Sequence, residues 1–572
     1  MKFLIKKINI ILFFITIFLI NSEGLARDNK TLYTRENISN YFLGIISAKR
    51  DYNHEALKYL KKVESLKNVH SEFNNEFIKT LILLGKFEEA VVFSKNIRDE
   101  KQLFFEADLL LGLDAFIRED YKRAEKYFQR LNKLSRSNLY FDNFIGNILL
   151  SWNKASKGEK EGSFKILEKI PKPYHNLRKT QYSFLKCYFD DNDTQKTFEE
   201  IIQFKDYNFE RYNFFLANYL IFNNKEKEAI KVIKNTRKKI GSNLLIEETE
   251  NFLKDGKNEK IKNFFNCKNP NDPIAEFFYI IANLYSSERD YRLSNFYLKI
   301  SEFLNEKFLP NRALLAENYY YQEKYNSSKN AYEKLKSIGP TYSWYSSKSI
   351  SSILLEEKGK EYSVKILEKD FKSISKPDFK HYYEMANFYK ENQYYKKSII
   401  YYSLALEEIS YDHFLVPKIL DRRGTSYEKL GKWEKAEKDL TESLKIKPDQ
   451  AHVMNYLAYS WIDKGINLDK GLEILIKANS IREEDGYIID SLGWAYYAKK
   501  DYAKAEKFLQ RAVELLPRDP IINDHYADNL WMLKKPIQAR YIWRGVLKLD
   551  KVEQKLKDEV NKKLIFGLTK KL

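Results

Sequence analysis

The sequence predicts an all-α protein: a right-handed superhelical solenoid of about fifteen helix-turn-helix repeats with a capping helix at the carboxyl terminus. Three observations predict it. Small and large apolar residues recur with a period of 34 residues, most sharply from Gly486 to Asp519. Gly (19) and Pro (12) are scarce in a chain of 572 residues, which favours long helices over low-complexity linkers. Near the end of the chain Val552, Leu556, Val560 and Leu564 recur every four residues as one stripe.

The stretch Gly486–Asp519 shows why the repeat folds as a hairpin. With Gly486 as position 1, Leu492, Gly493 and Tyr496 take positions 7, 8 and 11, on one face of a first helix. Ala505, Leu509 and Ala512 take positions 20, 24 and 27, on one face of a second. Gly493 and Ala505 are small where the helices cross, so the axes can approach to about 8–10 Å. Asp501 is placed to cap the second helix, and Pro517 stops it. One hairpin cannot bury its own apolar face, so neighbours must stack on it. The pattern resembles the tetratricopeptide repeat (TPR).

Taken in order, residues 1–26 read as a cleaved signal peptide. Lys2, Lys6 and Lys7 precede a short apolar run, Ile8 to Ile20, and Gly24-Leu25-Ala26 supplies small residues for cleavage. A retained anchor is the competing reading, but the run is shorter than the roughly 20 residues that span a bilayer. No cysteine precedes Cys187, so there is no lipobox cysteine. The chain is therefore expected in the periplasm of a Gram-negative bacterium. Residues 27–274 read as partly degenerate repeats, starting near Asn37, Ser71, Phe105, Arg178 and Glu210, with a turn-rich break at FNCKNPNDP. Residues 275–550 read as regular repeats from Ala275, Leu309, Trp344, Phe379, Pro417, Ala451, Gly486 and Pro520, with one extra residue near Gly465–Asn467. Residues 551–572 read as the cap, with Lys551, Lys555, Lys557, Lys562 and Lys563 on its wet side. A basic amphipathic helix lying on a membrane is the alternative reading of that segment.

The net charge is +19, and about +17 without the leader. A lysine-rich solvated surface explains it. An anionic polymer or membrane surface is the alternative, and no nucleic-acid module is present. Nothing looks catalytic. The chain has no phosphate-cradling GxxxxGK[ST] loop, no HExxH and no GxSxG. No cofactor or metal is expected, and His525 beside Asp524 and Asp528 reads as a polar groove residue. Cys187 and Cys267 lie more than two repeats apart. At about 10 Å per helix layer they are expected to be two unpaired, buried thiols.

The candidate site is the face lined by the first helices. Position 5 reads Asp421, Asn455, Asp490 and Asp524 over the last four repeats. Position 9 includes Tyr459, Trp494 and Asp528, and position 12 includes Tyr497 and Trp531. An acid-and-amide ladder flanked by aromatic ladders suits an extended or helical segment that is basic or amide-rich and apolar, because Asp and Asn bond its peptide groups while Tyr and Trp supply rigid contact. Local solvation or capping is the alternative role for the acids. On the groove reading, Asp490→Lys weakens partner binding without unfolding the rod.

Three segments carry a narrower resemblance: MNYLAYSWIDKGINLDKGLEILIKANSI, DSLGWAYYAKKDYAKAEKFLQRAVELLPRDP and HYADNLWMLKKPIQARYIWRGVL. They resemble the carboxyl-terminal repeats of long proteobacterial envelope TPR proteins, among them the lipoprotein adaptor of a carboxyl-terminal processing protease. That resemblance implies a non-enzymatic scaffold that delivers substrates such as cell-wall hydrolases to the protease.

Overall fold

The computed structural model describes residues 33–68, 70–97, 105–134, 144–203, 211–239, 243–550 and 552–568. The expected leader, 1–26, lies outside the described residues. Among the described residues thirty-one α-helices follow one another, with no strand. In order they pair as fifteen hairpins, and the helix Gln554–Phe566 closes the chain. The fold is all-α, built of stacked helical hairpins, as the periodicity predicts.

The repeat built on Gly486 follows its sequence logic. Its helices are Gly486–Ala498 and Tyr502–Leu515, so the second stops two residues before Pro517. Asp501 caps it by accepting from the Lys504 amide at 3.2 Å. A β-carbon at Gly493 would lie 2.7 Å from Leu509 Cγ, so glycine is what lets the helices cross this closely. Ala505, Leu509 and Ala512 are fully buried. Ala458, Ile462 and Leu475 of the preceding repeat form one core with Leu492 and Ala495, which is the stacking a lone hairpin lacks.

The hairpin turns carry a second periodicity. Asp51, Gly85 and Glu119 have left-handed φ values of 60°, 73° and 62° and stand 34 residues apart. Lys500 and Lys534 repeat the device at 64° and 63°. The turn residue reverses the chain while its amide bonds back to the first helix, as Lys500 N does to Tyr497 O at 2.8 Å. The extra residue after Gly465 is absorbed by a further left-handed residue, Asn467 (φ 50°).

The chain divides into two compact units between Gly359 and Lys360. The change in repeat regularity near residue 274 lies inside the first unit.

In the first unit, repeats far apart in sequence touch. Arg292 pairs with Glu76 at 2.6 Å, and Lys324 donates to the Asp51 carbonyl at 2.8 Å. Phe87 stacks on Phe303 at 4.4 Å. Arg211 forks onto Glu276 at 2.8 and 2.9 Å. First helices such as Phe105–Ile117 are consequently covered all round, from Glu106 to Phe116. A helix buried on every side needs apolar residues on every side, which is why FEADLLLGLDAFI lacks a clean amphipathic stripe.

The two cysteines correct the sequence expectation. Cys187 and Cys267 form a disulfide, with Cα atoms 6.0 Å apart. Counting helix layers failed because the break FNCKNPNDP does not stay with its own repeat. It folds back so that Phe265 packs against Phe184 at 5.3 Å and Lys268 Nζ donates to the Tyr188 carbonyl at 3.0 Å. Asp272 holds that turn by accepting from the Asn266 amide at 2.8 Å and from Asn269 Nδ2 at 2.9 Å. Burial pushes its carboxyl up to about 7.

The closing helix caps the second unit as expected. Val552 and Val560 are buried with Ala539, Trp543 and Val546, and Leu556 and Leu564 pack beside them. Its apolar stripe therefore faces protein. Among the described residues no helix is long and apolar enough to cross a membrane.

Candidate partner-binding groove

Three consecutive first helices of the second unit, Ala451–Asp463, Gly486–Ala498 and Pro520–Met532, bring most of the candidate residues together. Helical spacing puts position 9 one turn beyond position 5, so Asn455 sits below Tyr459, Asp490 below Trp494 and Asp524 below Asp528.

The centre is His525. Its Nδ1 lies 2.9 and 3.1 Å from the two oxygens of Asp490. Its ring stacks on Trp494 at a centroid distance of 4.0 Å, and Trp494 stacks on Tyr497 at 4.4 Å. Tyr459 approaches the other way, at 6.3 Å. Tyr459, Trp494 and Tyr497 stay half-buried, so each keeps part of its ring accessible to a partner. Burial works to lower the imidazole pKa, but Asp490, Asp524 and Asp528 outweigh it and raise it. Nδ1–H therefore donates to Asp490.

Lys563 arrives from the closing helix. Its Nζ donates to Asp524 at 2.7 Å and to both oxygens of Asp528 at 2.8 Å. Trp543 Nε1 donates to Asp528 at 3.0 Å. Burial and the neighbouring Asp524 push the Asp528 carboxyl up to about 6, against the pull of Lys563 and His525. Burial opposes the charge on Lys563, yet Asp528 and Asp524 raise its pKa.

These contacts revise the role of the acids. Asp490, Asp524 and Asp528 are each more than nine-tenths buried and already engaged by cations of the same chain. They hold the groove floor together and do not present free carboxylates, so the expected attraction for a basic segment is largely cancelled. Asp490→Lys would set an ammonium against His525 in a buried site, and it would perturb folding as well as binding. Lys563, expected on the wet side of the cap, is turned inward. Its signal was available only as the distance of 35 residues from Asp528, which no local pattern relates to the fold.

The remaining candidates stand apart. Asp421 pairs with His452 Nε2 at 3.4 Å, away from the aromatic stack. Asn455 lies one turn before Tyr459 and keeps a buried side-chain oxygen without a hydrogen-bond partner. Trp531 is covered by the Arg540 guanidinium, 4.7 Å from its ring, and by Gly567, where any β-carbon would strike the indole. Among the described residues no group of His, Cys, Asp and Glu is arranged to hold a metal.

Of the three groove helices, Gly486–Ala498 overlaps a stretch matched by a family profile. The profile is that of the tetratricopeptide repeat, and it matches residues 417–450 and 488–519. The chain carries tetratricopeptide repeats. A TPR repeat-containing protein of Pseudomonas aeruginosa is 32% identical over 99 residues. The match spans 17% of this chain and 17% of that relative. Solved structures that are similar include MamA from Desulfovibrio magneticus, at 16% identity and a TM-score of 0.28 over 32% of this chain and 99% of that one. A tetratricopeptide repeat protein from Parabacteroides merdae is 17% identical, with a TM-score of 0.33 over 38% of this chain and 86% of that one.

Proposed function

We infer that this is a non-enzymatic scaffold of the bacterial periplasm that holds a partner segment in the groove of its second unit. The observation that carries the reading is the stack Tyr497–Trp494–His525 with Tyr459 beside it, half-buried over a floor in which Asp490, Asp524 and Asp528 are paired with His525 and Lys563. Rigid aromatic surface that is already ordered costs little entropy to use in binding. With the acids neutralised, the segment it suits is apolar and amide-rich. Export is supported by the basic and apolar leader and by the Cys187–Cys267 disulfide, since such bonds persist in oxidising compartments. The resemblance of residues 454–547 to envelope adaptors extends the proposal to delivery of cell-wall hydrolases to a carboxyl-terminal processing protease.

The experiment is an affinity pull-down with residues 27–572 from an envelope fraction, at low and high salt, beside the Trp494→Ala and Tyr459→Ala variants. A protease and hydrolases held at high salt by the parent chain and lost by both variants support the adaptor. Retention by both variants moves binding out of the groove. Material released by salt alone counts against the aromatic contact, because screening weakens charge pairing and spares apolar burial.

A further inference from the structure

The last hairpin and the closing helix carry large apolar side chains that the fold does not use. Arg540 Nε donates to the Leu564 carbonyl at 3.2 Å, which ties the helix Pro536–Val546 to the end of Gln554–Phe566. Ile537 and Tyr541 lie within one turn of Arg540, and Ile565 and Phe566 directly follow Leu564. All four are open to solvent: Ile537 is 84% exposed, Tyr541 78%, Ile565 69% and Phe566 68%. They are distinct from the stripe of the closing helix, which is consumed by the cap. The bond sets the two exposed pairs on joined helix ends, four large apolar side chains at one end of the second unit.

The segment that carries the patch is basic in sequence. From Lys534 to Leu572 the sequence holds twelve Lys and Arg against four Asp and Glu, so +8 of the net +19 falls in the last 39 residues. Arg544, Lys548 and Lys562 are exposed, whereas Lys563 is spent on Asp524 and Asp528. Two copies placed patch to patch would set these like charges against each other. An anionic lipid surface meets both features at once: it accepts Ile, Phe and Tyr at the headgroup boundary and attracts the surrounding Lys and Arg.

We propose that the patch Ile537, Tyr541, Ile565 and Phe566 docks the second unit on an anionic membrane surface. The contact is peripheral, by side-chain tips and not by a spanning helix. It leaves the aromatic groove to its own partner, so the two activities are separable by mutation.

The test is flotation of the full mature chain with vesicles of phosphatidylglycerol and phosphatidylethanolamine in equal parts, beside vesicles of phosphatidylcholine alone. The expected result is binding to the anionic vesicles, weakened by salt, and a loss of about tenfold or more in I537S/Y541S/I565S/F566S. The melting temperature of that variant should not change, because the four side chains are solvated in the fold. Equal binding by the variant, or equal binding to phosphatidylcholine, overturns the proposal. So does a parent dimer in sedimentation that the variant dissociates, which would assign the patch to a second copy. A single Phe566→Cys variant carrying an environment-sensitive dye gives an independent readout. Its emission should shift to the blue on anionic vesicles, and an unshifted spectrum rejects the contact.

Discussion

Lys563 Nζ sits 2.8 Å from each carboxylate oxygen of Asp528, joining the closing helix to the first helix of the last repeat. The bond makes the cap more than a cover over apolar surface. It also supplies the cation that lets two adjacent carboxylates, Asp524 and Asp528, exist in a buried groove floor.

Removing that cation leaves two buried carboxylates facing each other. Lys563→Met keeps the length and apolar stem of the side chain and deletes the charge. We expect it to destabilise the second unit by about 3 kcal/mol. Urea unfolding followed by tryptophan fluorescence measures this, and an unchanged midpoint would show that the pair contributes nothing.

Stability should also depend on pH through His525. Its pKa is raised in the folded state, so its contribution is complete below the unfolded value of about 6.5 and is lost as pH rises through the raised value. Asp528 acts in the same direction at lower pH. With its folded value near 6, the folded state holds the extra proton and stability falls as pH rises from about 4 to about 6. In His525→Gln the decline above about pH 6.5 should shrink to the part left by Asp272, whose carboxyl stands at about 7, while the lower limb remains. Thermal melts across that range decide it, and a parallel decline in parent and variant rules His525 out as the titrating group.

The disulfide joins residues separated by 80 positions, so it removes considerable freedom from the unfolded chain. Cys187→Ser with Cys267→Ser is expected to lower the stability of the first unit by about 2–4 kcal/mol. A reductant should lower the parent to the level of the variant and leave the variant unmoved. A parent insensitive to reductant would show that the bond is not formed in solution.

Much of this protein was legible in its sequence because TPR packing is local. Gly493, Ala505 and Leu509 meet across one turn, and Asp501 caps the helix it begins. Periodicity records such contacts directly, so the hairpins, the stacking of the last repeats and the capping stripe could be read from spacing alone. The candidate aromatics Tyr459, Trp494 and Tyr497 were legible for the same reason, since helical spacing decides which side chains share a face.

Tertiary structure decided whatever depended on chain return. The first unit brings Glu76 to Arg292 and Asp51 to Lys324, and helices covered on both sides lose the stripe that would mark them. The break at 265–272 doubles back to place Cys267 beside Cys187. Lys563 turns inward on Asp524 and Asp528, while His525 closes on Asp490, so a ladder read as acidic becomes a nearly neutral floor. Spacing specifies which face a side chain occupies. The partner that charge meets there is set by how the chain returns, because desolvation of a buried acid can be offset by a cation from any distance in sequence.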